Sequence, residues 1–105
     1  MKRCNVRFLA PAEADLRRLY LYILEEGGDE VAEQYVDRIE AACMALERFP
    51  KRGRPRDDIS AGLRTLNFER RATIGCRVAK SRVEIIRIFF GGQDYDRILL
   101  RMAGR

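Results

Sequence analysis

The chain contains no histidine and no tryptophan in its 105 residues, and only three cysteines, Cys4, Cys43 and Cys76. Without an imidazole, the Ser-His and Cys-His routes to an activated nucleophile are excluded near neutral pH. The cysteines are odd in number and far apart, with no CxxC pair and no histidine to complete a zinc site, so they are expected to be reduced and packed. Neither a GxxxxGK[ST] nor a GxGxxG loop occurs, which leaves no basis for a nucleotide-binding enzyme, and no metal or cofactor is expected. No apolar run approaches the roughly 18 residues that cross a bilayer, and the N-terminus leads into a short alternating segment rather than a signal-peptide core. The expectation is a cytosolic protein with no membrane partner.

What remains, 47% hydrophobic and 35% charged residues, is the balance of one compact domain, expected to span residues 1–105. The net charge of +5 is unevenly spread: residues 1–50 carry 7 basic and 10 acidic side chains, whereas residues 51–105 carry 14 basic and 6 acidic ones. Eighteen of the 21 cations are arginine, whose planar fork pairs bidentately with carboxylate or phosphate. An anionic partner, nucleic acid or acidic protein, follows from that half of the chain.

Residues 4–9 alternate, with Val6 and Phe8 on one side and Asn5 and Arg7 on the other, and predict a short strand. Pro11 suits a first helical turn, and Ala12, Leu16, Leu19 and Ile23 recur at helical spacing until Gly27-Gly28 stops the helix near Glu26. A second helix, capped by Asp29 and ended by Pro50, buries Val31, Tyr35, Ile39, Ala42 or Cys43, and Leu46. So short a connection makes the two helices an antiparallel hairpin. Residues 51–62, KRGRPRDDISAG, read as a loop. Three strand-like runs follow, 63–69, 74–79 and 82–90, the last apolar on both faces and therefore central. After Gly91-Gly92, residues 94–102 predict a short terminal helix. The fold class is α+β: two layers, with an N-terminal strand and helical hairpin packed on a mainly antiparallel sheet.

Three groups of residues invite a functional reading. Arg64, Arg77 and Arg87 lie one in each of the last three strands and, on a shared face, would form a concave site for an anion; the alternative is that each points to solvent between core residues. Lys51, Arg52, Arg54 and Arg56 suit phosphate, or else a solvated hinge paired with Asp57 and Asp58, and the missing aromatic interleaving argues against a single-strand stacking platform. Arg87 to Arg97 is a strand emptying into a glycine hinge, where Tyr95 is either a proton-handling group or a structural cap. The aromatic residues, Phe49 among them, fall mostly on apolar stripes and are expected in the core.

Val6-Arg7-Phe8, Ala14-Asp15-Leu16, Leu46-Glu47-Arg48-Phe49-Pro50 with Gly53 and Pro55, Gly62-Leu63-Arg64, Cys76-Arg77-Val78 and the run 83–88 together resemble the RelE/ParE superfamily of type II toxin–antitoxin toxins, over nearly the whole chain. The resemblance implies the hairpin-on-sheet fold and a small acidic-tailed antitoxin. ParE-type members inhibit DNA gyrase without being catalysts, while RelE-type members cleave messenger RNA on the ribosome. The long hairpin is more similar to ParE, and RelE-like sites use lysines with a tyrosine, or a histidine, where this chain has three lysines and no histidine. The preferred reading is a non-enzymatic ParE-like gyrase inhibitor neutralised by a ParD-like antitoxin in a hetero-oligomer. Arg52, Arg54, Arg56, Arg64, Arg77, Arg87, Tyr95 and Arg97 would engage the target; Leu16, Leu19, Tyr20, Ile23, Arg64 and Arg77 would meet the antitoxin. In the alternative, a RelE-like ribosome-dependent endoribonuclease, Arg64, Arg77, Arg87 and Tyr95 form the active site. A plain interaction module without toxicity is the third.

Overall fold

A computed structural model describes residues 5–104. Strand β1 (Asn5–Phe8) leads directly into helix α1 (Ala10–Met44), which passes through a 3-10 turn at Ala45–Glu47. Strands β2 (Arg54–Pro55), β3 (Leu63–Phe68), β4 (Ala72–Ala79) and β5 (Arg82–Phe90) follow, and helix α2 (Tyr95–Met102) closes the chain. The sheet runs β1-β5-β4-β3-β2, with β1 parallel to β5 and the other pairs antiparallel. The predicted strand, hairpin, meander and tail are all present in an α+β architecture; Cys4, included in the first predicted strand, lies outside the described residues.

The two predicted helices are one helical stretch interrupted at Gly28, whose φ of 86° and ψ of 175° belong to a region nearly reserved for glycine. A straight helix of 35 residues would be about 52 Å long, more than the 39 Å of the molecule's longest dimension. The arms therefore fold back on each other. Tyr20 of the first arm donates its hydroxyl proton to Asp29 at 2.6 Å, and Leu16 and Tyr20 share a surface hollow with Val36 and Glu40 of the second.

Both arms bury the stripe expected of an amphipathic helix, with one shift. Ala12, Leu16, Leu19 and Ile23 are buried as predicted, but in the second arm Ala32, not Val31, opens the series that continues through Tyr35, Ile39, Cys43 and Leu46. Both positions are in helical phase with Tyr35, four and three residues on, and it is Ala32 that meets the core while Val31 is exposed. These side chains pack on Ile74, Cys76, Val83, Ile85 and Ile88 of the sheet.

The opposite face of the sheet carries a smaller cluster in which Leu63, Ile86 and Phe89 receive Leu99 of α2. A bulge makes this two-sided burial possible: Gly75 pairs with Arg87, but its neighbour Cys76 pairs with Ile85, leaving Ile86 as an extra residue on β5. Ile85 and Ile88 then face α1 while Ile86 and Phe89 face α2.

Within the segment predicted as an irregular loop, Arg54 and Pro55 form the edge strand β2, paired with Thr65 and Arg64. Proline is tolerated there because an edge strand has one side with no ladder partner. Among the described residues no helix is long and apolar enough to cross a membrane.

Candidate functional site

The register of the sheet separates the three strand arginines. Arg64 stands opposite Cys76, and Leu63 opposite Arg77; cross-strand partners point to the same face of a sheet. Cys76 belongs to the core under α1 and Leu63 to the cluster under α2. Arg64 is therefore on the α1 side, whereas Arg77 is on the α2 side, as is Arg87, whose partner Gly75 looks toward Phe89 and Leu99. The expected concave site of three arginines on one face does not form.

Each guanidinium is also committed within the fold. Arg64 Nη1 donates to the carbonyls of Lys51 at 3.1 Å and Gly53 at 2.7 Å, pinning the start of the basic loop. Arg77 donates to Ser60 Oγ at 2.7 Å and to the Ala61 carbonyl at 3.3 Å, pinning its end. Arg87 makes a bidentate pair with Asp15 at 2.7 and 3.0 Å and lies 5.1 Å from the centre of the Phe89 ring. The Asp15 side chain is 1% exposed and accepts a further hydrogen bond from the Ile88 N–H at 2.8 Å, with Arg18 as a second ion-pair partner. β1 ends at Phe8, paired with Ile85, so beyond it β5 has lost its neighbour and the carboxylate takes the vacated place.

Asp15 was legible as more than a surface charge. It falls three residues after Ala12 and four before Leu19 on the buried stripe of α1, and a carboxylate there needs a cation. What the residue pattern could not supply was the partner, 72 positions further along the chain.

The basic loop divides in the same way. Arg56 is held by Asp58 and by Asp96 of α2, at 2.9 and 2.8 Å, so it ties the loop to the terminal helix. The hydrogen bonds and charge of these carboxylates push the guanidinium pKa further up, and Arg56 in turn holds both below the ordinary aspartate value. Arg52 and Arg54 remain exposed, and Arg97 is exposed beside Asp94 at 3.7 Å. Tyr95 is half-buried, its ring 5.8 Å from that of Phe89, in a hollow shared with Asn67, Arg70, Arg71 and Gln93. Arg77 lines a different hollow with Leu9, Ser60, Leu63, Ile86 and Leu99. Of the four residues of the nuclease reading, Arg64 is on the face opposite Arg77 and Arg87, and Tyr95 lines a different hollow from Arg77.

Three of the apolar residues expected at the antitoxin interface belong to the core: Leu16, Leu19 and Ile23 are 8%, 1% and 2% exposed. Tyr20 is half-buried at the surface, where Asp29 raises its pKa above the ordinary value by accepting its hydrogen bond. The opposite correction applies to Phe49, expected in the core and found 58% exposed.

With that geometry in view, a family model described as the ParE toxin of the parDE type II toxin-antitoxin system matches residues 6–95. The chain belongs to the ParE toxin family. A curated ParE relative, Toxin ParE3 of Caulobacter vibrioides, is 37% identical over 59 residues, 56% of this chain and 59% of that protein. The match thus spans about three-fifths of the relative's length. Among solved structures, the chromosomal ParDE toxin-antitoxin system of P. aeruginosa is similar with a TM-score of 0.73 and 27% identity, over 84% of this chain and 96% of that one. The RelBE2 toxin-antitoxin complex of Mycobacterium tuberculosis is similar with a TM-score of 0.62 and 25% identity, over 89% and 97%. ParE and RelE relatives thus share this fold, and the family model places the chain on the ParE side.

Proposed function

We propose that this ParE-family chain is a toxin that inhibits DNA gyrase without catalysing a reaction, and that a ParD-like antitoxin neutralises it. The observation that carries the reading is where the strand arginines spend their charge. Metal-independent RNA cleavage needs cations converging on a phosphate beside an acid/base group. Here Arg87 is neutralised by buried Asp15, Arg77 and Arg64 hold loop backbone from opposite faces, and Tyr95 lines a different hollow from Arg77. Such a constellation suits recognition by shape and charge. Target engagement falls to the exposed cations Arg52, Arg54 and Arg97, with Arg56, Arg64, Arg77 and Arg87 holding the surface that presents them.

The antitoxin contact is drawn on the hairpin, in the hollow that Tyr20 shares with Glu13, Arg17 and Val36, and on the arginines that an acidic tail can reach. Supercoiling by purified gyrase, with the chain added at rising concentration, tests the target. Inhibition that is reversed by a co-encoded acidic-tailed antitoxin is expected, and undiminished supercoiling at micromolar chain overturns the reading. The likeness to RelBE2 gives the ribosome-dependent nuclease a foothold, and codon-positioned cuts in translated messages, mapped by primer extension, would replace gyrase with the ribosome.

A further inference from the structure

Phe49 places an aromatic ring in the open, within a run of cations. It follows the 3-10 turn, and its N–H and that of Arg48 both donate to the Ala45 carbonyl, at 3.3 and 3.1 Å. The Arg52 N–H closes the turn onto the Phe49 carbonyl at 3.2 Å. From below, Arg64 grips the carbonyls on either side of Arg52, and Gly53 is buried against the Thr65 backbone so closely that a Cβ would stand 3.0 Å from its oxygen. Phe49, Pro50, Lys51 and Arg52 line one shallow hollow, and Arg48, Lys51 and Arg52 are all exposed. No carboxylate among the described residues forms an ion pair with these three cations, in contrast to Arg38, Arg56, Arg71 and Arg87, each of which has one.

We propose that the turn 48–52 binds a single strand of nucleic acid, with one base stacked on Phe49 and the neighbouring phosphates on Arg48, Lys51 and Arg52. A single exposed ring in a shallow hollow edged by cations has the footprint of one base, and every base offers a π-face to it. An amphipathic peptide would need a groove with several apolar anchors, which this turn lacks. The cations supply the sequence-independent part of the affinity by releasing counterions from the phosphates. Because the turn is already fixed by Arg64, binding spends little conformational entropy on ordering the protein side. The inference deepens the reading of the basic loop as a target-engaging element, yet it is measured without gyrase, so either can fail while the other stands.

The test is fluorescence anisotropy of the purified chain with a labelled oligodeoxythymidylate of about ten nucleotides. Phe49→Ala, at an exposed position, should unfold at the same temperature as the parent and bind about tenfold more weakly. Phe49→Trp should retain binding, and its emission, from the sole tryptophan in the chain, should be quenched by the oligonucleotide. Replacing Arg48, Lys51 and Arg52 together by alanine should flatten the slope of log affinity against log salt by about 2. No binding at low salt, Phe49→Ala binding like the parent, or unquenched Phe49→Trp overturns the proposal. So does equal binding of a duplex of the same length. Polyglutamate binding that weakens as much in Phe49→Ala as oligonucleotide binding does also overturns it, and reassigns the turn to an acidic protein.

Discussion

Asp15 has the most to lose from substitution. Asp15→Ala strands the Arg87 guanidinium and the Ile88 N–H at a site that is 1% exposed on the carboxylate side, and removing one partner of a buried pair costs about 3–5 kcal/mol. Urea unfolding should show that loss, with a smaller one for Asp15→Asn, which keeps an acceptor for the N–H but not the charge. Tyr35 presents the reverse case. Its ring packs edge-on against Phe68 at 5.6 Å and lies under the Arg38 and Arg71 guanidinium groups, while its buried hydroxyl has no hydrogen-bond partner among the described residues. Tyr35→Phe removes that orphaned group and keeps the ring. The same urea titration should find it neutral or stabilised by about 1 kcal/mol, and a clear loss of stability would mean that the hydroxyl is satisfied in solution.

At the scale of elements, the hairpin depends on one dihedral pair. At Gly28, a Cβ would meet nothing within 4 Å, so Gly28→Ala costs only the strain of a positive φ. That strain is of the order of 1–3 kcal/mol, which thermal unfolding should record as a fall of about 4–8 °C per kcal/mol. Helix α2 is attached differently, by Leu99 in the small cluster, by the Phe89–Tyr95 ring contact and by the Arg56–Asp96 bridge. Arg56 holds Asp96 and Asp58 below the ordinary value of 3.8 through its hydrogen bonds. Their contribution to folding is therefore complete above that value and is lost as acid protonates the folded carboxylates. Amide protection factors in α2 should fall below about pH 4, and Asp96→Asn should show the lower protection already at neutral pH.

The same scale shows how far the pattern could be read. The helix, its glycine stop, the meander and the terminal helix are local signals, carried by spacing within a few residues of each other. Local signals are silent where spacing is degenerate or too short: Val31 and Ala32 are both in phase with Tyr35, and the edge strand at Arg54–Pro55 has too few residues to show alternation. Composition marks the candidate arginines as residues but not as a set, because a face assignment alternates with every residue and depends on cross-strand register.

For the whole molecule, charge separates by layer. The helical hairpin, residues 10–47, carries 3 basic and 10 acidic side chains, whereas β2 to β5 and α2, residues 54–102, carry 11 basic and 6 acidic ones, so the protein is polarised across its thickness. Long-range attraction to a polyanion then favours approach by the sheet side. Between the layers, Cys43 and Cys76 are buried, and burial pushes their thiol pKa values from 9.0 up to about 12 and about 11. Thiols held protonated in the folded state stabilise it most below their unfolded value, so stability should decline as pH rises above about 9. At pH 8, mass-spectrometric mapping after iodoacetamide treatment should find both unmodified in the native protein and both alkylated in urea.

The sequence by itself determined the class of fold, the hairpin, the central position of the last strand and the basic character of one half, because each rests on periodicity or composition that neighbouring residues express together. Only the tertiary structure decided which charges are available. Asp15 meets Arg87 across 72 positions, Arg64 and Arg77 part to opposite faces by register, and Phe49 lies at the surface just before the segment that Arg64 holds. The physical reason is that a guanidinium's role follows from the nearest carboxylate or carbonyl in space, and the chain path sets that distance.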